Sequence, residues 1–400
     1  MKKRSAILLA LFSFFLLSLS AYAVDAPTVY GLVKKELKYI TQDSEANART
    51  VYGPKDVDGF ETRFGVKGFI PTGELKAGYN LEVGFNSQLD NSNAERIRVR
   101  LANLSLGNDT YGTMTAGQAY LPGMIRNILL DPLVATAVEM EALDWAPIVG
   151  SISGANGKVP YLPRSPWQDL IAYESPSFGG LKLAISHDKN QQEYALRGTS
   201  VGNTGHTNGE NWWTYGVYFD KAFSDIKLSA TAAYATQEAD GVQNEDQDKY
   251  WNLHAKVIIS KATLGGGYYE YKVDRNVTNK MWLVLASFDV LPELTLSATF
   301  FKTTLSSYGS SFTTGVTQTA INSSANADIV NSGARVNGTD GEQHQFAAGL
   351  IYKFNPNVSA HAVLGFYNRK WNVFPGIFEK SSSKRDNSAT QAATGLTIYF

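Results

Sequence analysis

The sequence predicts an all-β fold, a transmembrane antiparallel β-barrel of about sixteen strands, on three observations. Apolar and polar side chains alternate over long stretches: Phe60, Thr62, Phe64 and Val66 share one parity, with Glu61, Arg63, Gly65 and Lys67 on the other. After Pro71-Thr72-Gly73 the pattern restarts, with Leu75, Ala77, Tyr79, Leu81, Val83 and Phe85 against Lys76, Gly78, Asn80, Glu82 and Gly84. A third run sets Ile97, Val99 and Leu101 against Arg96, Arg98 and Arg100. Six apolar side chains in strict alternation with a charged face suit a wall that has hydrocarbon on one side and water on the other. The second observation is that connections between such runs alternate between short and long. The third is that beyond the first residues no segment is apolar for long enough to cross a bilayer as a helix. Trp282 to Phe288, ended by Asp289, is the best candidate. A membrane-spanning sheet has to close on itself to satisfy its backbone.

Composition narrows the class without naming a function. A formal net charge of -1 excludes a strongly basic nucleic-acid binder, and the lack of cysteine excludes a disulfide-stapled module. Lys2, Lys3 and Arg4 precede an apolar run from Ala6 to Leu19, followed by Ala21-Tyr22-Ala23, the small-x-small pattern of a secretory cleavage site. Residues 1–23 are therefore expected to be a signal peptide and 24–400 a single barrel domain. Without the three basic leader residues, 33 Lys and Arg stand against 37 Asp and Glu, a mature formal charge of -4. An exported chain of this kind reads either as a soluble β-protein or as an outer-membrane barrel.

Taken in order, the expected strands are 28–40, 59–70, 74–86, 95–106, 111–118, 168–175, 181–187 and 212–220. They continue at 226–237, 249–260, 263–273, 280–290, 294–306, 342–354, 358–369 and 390–400. Most reach the roughly 9–11 residues a tilted spanning strand needs. Short connections at 71–73, 107–110, 176–180, 221–225, 261–262, 291–293 and 355–357 are rich in Gly, Pro, Asn and Asp. Long ones are expected at 41–58, 87–94, 119–167, 188–211, 238–248, 274–279, 307–341 and 370–389. Loops sorted by length onto two sides fit an inserted barrel, which has short periplasmic turns and longer outer loops. Tyr39, Tyr111, Tyr173, Trp251, Tyr268 and Phe354 sit near strand ends, where rings favour the headgroup boundary. One strand fits badly. Lys35 falls on the outward parity of 28–40, where it would cost about 2–4 kcal/mol at the bilayer midplane, so it belongs near an interface or against a neighbouring subunit.

Several short motifs carry a family resemblance. They are Tyr30-Gly31, the run Arg63-Phe64-Gly65-Val66-Lys67-Gly68, Leu75-Lys76-Ala77-Gly78-Tyr79, and Tyr111-Gly112-Thr113-Met114-Thr115-Ala116-Gly117-Gln118. Tyr173 to Leu181 and the closing 395–400 complete the set. In order and spacing they resemble the general diffusion porins of Gram-negative bacteria. The resemblance implies a homotrimer in the outer membrane, surrounded by lipid and lipopolysaccharide. It also implies sixteen strands, a third loop (119–167) folded into the lumen, and passage of ions and small hydrophilic solutes. Where the family usually has Arg after the Gly of the fifth strand, this chain has Gln118. Phe400, Ile398 and Leu396 share one parity and resemble the signal read by the outer-membrane assembly machinery. The alternatives are an eighteen-strand substrate-selective channel, with two further strands from 119–167 or 188–211, and a barrel adhesin or enzyme.

A pore needs a narrow place with a charge pattern. Arg96, Arg98 and Arg100, with Arg63 and Lys67 two strands away, form a positive ladder on one inner wall, and like charges so close require an offset. The long segment 119–167 can supply it. Asp131-Pro132 reads as a helix start, with Asp131, Glu139, Glu141 and Asp144 available to face the arginines. No metal or cofactor is expected. Asp240, Glu245, Asp246 and Asp248 read as a solvated loop tip, the five histidines form no ligand cluster, and no nucleophile elbow or phosphate loop occurs.

Overall fold

The computed structural model describes residues 26–44, 49–55, 62–85, 97–122, 167–189, 211–237, 249–273, 277–307, 339–373 and 384–400. Its strands are β1 (Thr28–Ser44), β2 (Arg49–Lys55), β3 (Thr62–Thr72), β4 (Leu75–Phe85), β5 (Ile97–Asn108) and β6 (Gly112–Tyr120). Next come β7 (Trp167–Glu174), β8 (Leu181–Lys189), β9 (Asn211–Phe223), β10 (Ile226–Gln237), β11 (Lys249–Ile259) and β12 (Ala262–Val273). The last are β13 (Val277–Leu291), β14 (Leu294–Ser307), β15 (Thr339–Asn355), β16 (Val358–Val373) and β17 (Lys384–Tyr399).

All pairings are antiparallel, each strand from β3 onward pairs with its successor, and β17 returns to β1. Strands β2 and β3 lie end to end along the same edge of β1, at Glu36↔Lys55 and at Leu32↔Arg63, and together make one stave. The seventeen segments therefore form a closed ring of sixteen staves. Because β6 pairs directly with β7, and β8 with β9, nothing from 119–167 or 188–211 intervenes between staves. That rules out the eighteen-strand alternative.

Burial is inverted relative to a water-soluble protein. Leu104 and Val284, 67% and 60% exposed, lie on the outer face, while Lys34, Glu36 and Lys38 on the inner face of β1 are buried. This is the distribution of a wall that meets lipid outside and is built of polar groups within. Lys35 does lie exposed on the outer face of β1.

Short turns close the end opposite the long connections. Asn108 Oδ1 accepts from the N–H groups of Thr110 (3.0 Å) and Tyr111 (2.7 Å), the local bonding that makes Asn a turn residue. Gly112, at φ 82°, follows; a Cβ there would stand 2.3 Å from the Glu174 carbonyl oxygen, so only glycine fits.

Three expectations are corrected. Much of 41–58 is strand, because β1 continues to Ser44 and β2 pairs back onto it; these residues are mostly polar, so apolar alternation did not mark them. The expected long connection at 274–279 shrinks to 274–276, since β13 begins at Val277. In β5 the alternation is broken by a bulge: Val83 pairs with Val99 but Glu82 with Leu101, leaving Arg100 as the extra residue. Leu101 is accordingly buried on the inner face, and Leu104 and Leu106 take the outer one.

Val284 sits midway along β13 with its side chain outward. Val284→Arg is expected to lower stability by about 2–4 kcal/mol, measured by urea unfolding from lipid vesicles. An unchanged unfolding midpoint would mean that this face does not meet hydrocarbon.

Candidate functional site

The inner wall over β1 and β3–β5 carries the densest charge among the described residues. On β4, Glu82 points inward between two arginines. Arg100 Nε donates to its Oε1 at 2.6 Å, and Arg63 Nε lies 3.6 Å from its Oε2. The β5 bulge makes the shorter contact possible by setting Arg100 and Leu101 together opposite Glu82. Arg100 is only 1% exposed, so the pair is desolvated, and removing one partner of such a pair costs about 3–5 kcal/mol.

Lys34 Nζ on β1 lies 3.2 Å from Glu36 Oε1, and His361 Nε2 on β16 lies 2.7 Å from the same oxygen. Tyr30 donates its hydroxyl to Asn80 Oδ1 at 2.8 Å, while the Lys67 ammonium stands 5.0 Å from the Tyr30 ring centroid, within cation–π range.

Of the residues singled out from sequence, Arg63, Lys67 and Arg100 are placed on this wall. Arg98 is paired with Gly84, which puts it on the inward register, but its side chain lies outside the described residues. Arg96, Asp131, Glu139, Glu141 and Asp144 also lie outside them. The positive ladder is interrupted from within the sheet by Glu82, a partner that sequence reading placed on the polar parity without assigning it a role. Its signal was available: Arg63, Glu82 and Arg100 alternate in sign across three successive strands, the arrangement cross-strand pairing favours. Lys34, Glu36, Lys38 and His361 are not marked by the sequence pattern, because they come together only when β16, β17 and β1 meet at the seam. Gln118 is not part of the charged wall. Its amide donates to the Val99 carbonyl at 3.0 Å, beside the bulge.

The inner wall of β12–β14, where β12 and β13 stand eight staves from β4 and β5, is of a different kind. Tyr269 on β12, Met281, Leu283 and Leu285 on β13 and Phe301 on β14 all point inward and are almost completely buried. Strands β12 and β13 meet here through Gly267↔Leu283 and Gly265↔Leu285. At the end of β6 the chain leaves the wall and turns into the ring. Leu121 is fully buried, and a Cβ added to the inward Gly216 of β9, three staves on, would stand 3.3 Å from Pro122 Cβ. Among the described residues no three His, Asp or Glu side chains converge as metal ligands.

Comparison with curated proteins gave no match. Solved structures share the architecture. An anion-selective porin from Comamonas acidovorans superposes with a TM-score of 0.60 at 16% identity, covering 94% of this chain and 99% of that one. The trimer form of in-vitro folded OmpT from Vibrio cholerae gives a TM-score of 0.53 at 14% identity, with 94% and 100% covered. Salmonella typhi OmpF in complex with daunomycin gives 0.51 at 14% identity, with 94% and 97% covered. Likeness at these identities carries the fold. The family follows from a separate finding, the match of residues 5–372 to the sequence model of the Gram-negative porins. With a closed ring of sixteen staves and a charged inner wall, this chain belongs to the Gram-negative porin family, the diffusion channels of the outer membrane.

Proposed function

We propose that the barrel passes ions and small hydrophilic solutes by diffusion through a constriction between the charged wall of β1 and β3–β5 and the segment 121–166. The observation that carries this reading is the inward turn at Leu121-Pro122, seated against Gly216. Continued in that direction, the segment would rest on the apolar inner surface formed by Met281, Leu283 and Leu285 of β13 with Tyr269 and Phe301 beside them, buried side chains that need an apolar cover. Asp131, Glu139, Glu141 and Asp144 would then face Arg63, Arg100 and Lys67, giving a field transverse to the flow.

The functional unit is proposed to be a homotrimer with lipid and lipopolysaccharide at its periphery. A trimer form of the Vibrio cholerae relative supports this, and a subunit boundary would shelter the outward Lys35. Removal of 1–23 on export and recognition of Phe400, Ile398 and Leu396 during assembly complete the proposal. Phe400 supports it by its place at the seam between the two chain ends.

Two tests follow from the geometry. Glu82→Gln leaves Arg63 and Arg100 without their shared carboxylate and should shift the reversal potential in a salt gradient toward anions; Arg100→Gln should shift it toward cations. Both shifts should grow from about 1 M to about 0.01 M salt, as the screening length rises from roughly 3 to 30 Å. Equal reversal potentials for the two variants would remove this trio from the ion path. Gly216→Leu drives a side chain into Pro122 and should change single-channel conductance in planar bilayers. Wild-type conductance in that variant would mean that the segment does not cross the lumen at this level.

A further inference from the structure

On the inner wall, near the end closed by the short turns, one side chain does not suit water. Phe69 of β3 shares the inward parity of Arg63 and Lys67 and is 51% exposed, although the inner face of such a barrel is ordinarily polar. It is paired with Gly78 of β4, and its Cε1 lies 3.1 Å from the place a Cβ would take on that glycine. One side of the ring therefore rests on the bare backbone of β4. The exposed half faces the lumen.

Covering a glycine does not by itself call for phenylalanine. On the same wall Tyr30 covers Gly65 in the same way, and its ring ends in a hydroxyl that donates to Asn80 Oδ1 at 2.8 Å. A polar end of that kind makes a covering ring compatible with water. Phe69 has none, so its open face is stabilised only when a second apolar face is laid on it.

Two ammonium groups flank the ring, one on either side along the wall. Lys67 lies two residues from Phe69 on β3, and Lys76 two residues from Gly78 on β4; both are inward and exposed, each about 7 Å away by strand rise. The Lys67 ammonium stands over the Tyr30 ring. Among the described residues neither lysine meets a carboxylate. Glu74 and Asp109 are exposed in the adjoining turns, and Asp25 lies outside the described residues. With these acids counted there is no surplus of positive charge. What marks the place is two cations set about one open ring.

We infer that this place is a subsite for small aryl carboxylates passing through the channel. The aryl ring stacks on the open face of Phe69, and the carboxylate reaches Lys67 or Lys76. The inference rests on the diffusion reading above and deepens it by naming a solute class. A carboxylate without a ring would use the lysines and leave Phe69 bare. A sugar acid would bring several hydroxyls that each need a partner, and the asparagines beside the ring are already engaged: Asn80 Oδ1 accepts from Tyr30, and Asn103 Nδ2 donates to the Gln118 carbonyl at 2.9 Å. An aryl face asks for no such partners.

The test uses the full mature protein in planar bilayers, with benzoate, acetate and glucuronate added in turn to a chloride electrolyte and single-channel current as readout. Benzoate is expected to reduce the current saturably, at a half-blocking concentration roughly three- to tenfold below that of acetate, the range an aromatic contact supplies. Phe69→Ala should raise the benzoate value by the same factor, and Phe69→Tyr, which keeps the ring, should retain the block. Lys67→Gln and Lys76→Gln together should weaken it by about two- to fivefold, and less so at high salt. Equal half-blocking concentrations for benzoate and acetate on the wild-type protein, or an unchanged benzoate value in Phe69→Ala, would overturn the subsite. Block by glucuronate as strong as by benzoate would overturn the choice of an aryl ring. Should Phe69→Ala not assemble, Phe69→Leu keeps apolar bulk without the ring and is expected to lose the block, with a retained block counting against the site. Chloride conductance of the wild-type protein reads the channel separately: a protein that does not conduct fails as a pore, whereas one that conducts without distinguishing benzoate from acetate fails only here.

Discussion

The backbone of a sheet immersed in hydrocarbon has no water to bond with, and each unpaired N–H or C=O costs several kcal/mol, so this chain has to close its ring. Closure occurs between β1 and β17, in register from Leu32↔Tyr399 to Ser44↔Asn387. The last link is made by the final residue. Gly31 N–H donates to the Phe400 carbonyl at 2.8 Å, and Phe400 N–H returns the bond to the Gly31 carbonyl at 3.1 Å. The Phe400 ring occupies the space where a residue other than glycine would carry its side chain, with Cζ 2.6 Å from the ideal Cβ position. The seam therefore places demands on both ends of the chain at once, a small residue near the start of the first strand and an aromatic at the terminus.

A closed ring has only two faces, so parity along a strand becomes a choice of environment. That makes a bulge the means of bringing two neighbouring side chains inside together. In β5, Arg100 and Leu101 both reach the inner wall, and Arg100 closes on Glu82. Gln118 helps to satisfy the disturbed backbone by bonding to the Val99 carbonyl. The site and the departure from regular pairing are the same feature, and the cost of the irregular ladder is offset by a short charge-assisted hydrogen bond in a desolvated place.

How much of this the sequence displays depends on what constrains each residue. The run from Leu75 to Phe85 was legible because hydrocarbon tolerates few polar side chains on the outer parity. No such pressure acts on Thr41–Ser44 or on β2, and their pairing left no mark in the apolar pattern. The bulge at Arg100 was illegible because Arg98-Val99-Arg100-Leu101 alternates smoothly and has no glycine or proline to signal a break. Arg63, Lys67 and Arg100 were found because charge on an inner parity stands out. Glu82 needed the further step of comparing neighbouring strands. Lys34 and Glu36 needed it across the seam, where His361 comes from a strand more than 300 residues away in sequence.

The two inner surfaces also bear on how a field across the lumen could arise. Among the described residues of the charged side, Lys34, Lys38, Arg63, Lys67 and Arg100 outnumber Glu36 and Glu82, so these side chains sum to a positive charge before any loop acid is counted. The facing surface of Tyr269, Met281, Leu283 and Phe301 carries no formal charge and polarises weakly, so it cannot cancel that potential, and a low-dielectric wall concentrates field lines in the water that remains. Polarity across the lumen is thus a property of the barrel itself. Acids facing the charged wall would steepen the gradient without creating it. The effect is confined to a width of about one screening length, roughly 10 Å at 0.1 M salt, so it acts on a passing ion only where the path runs close to β3–β5.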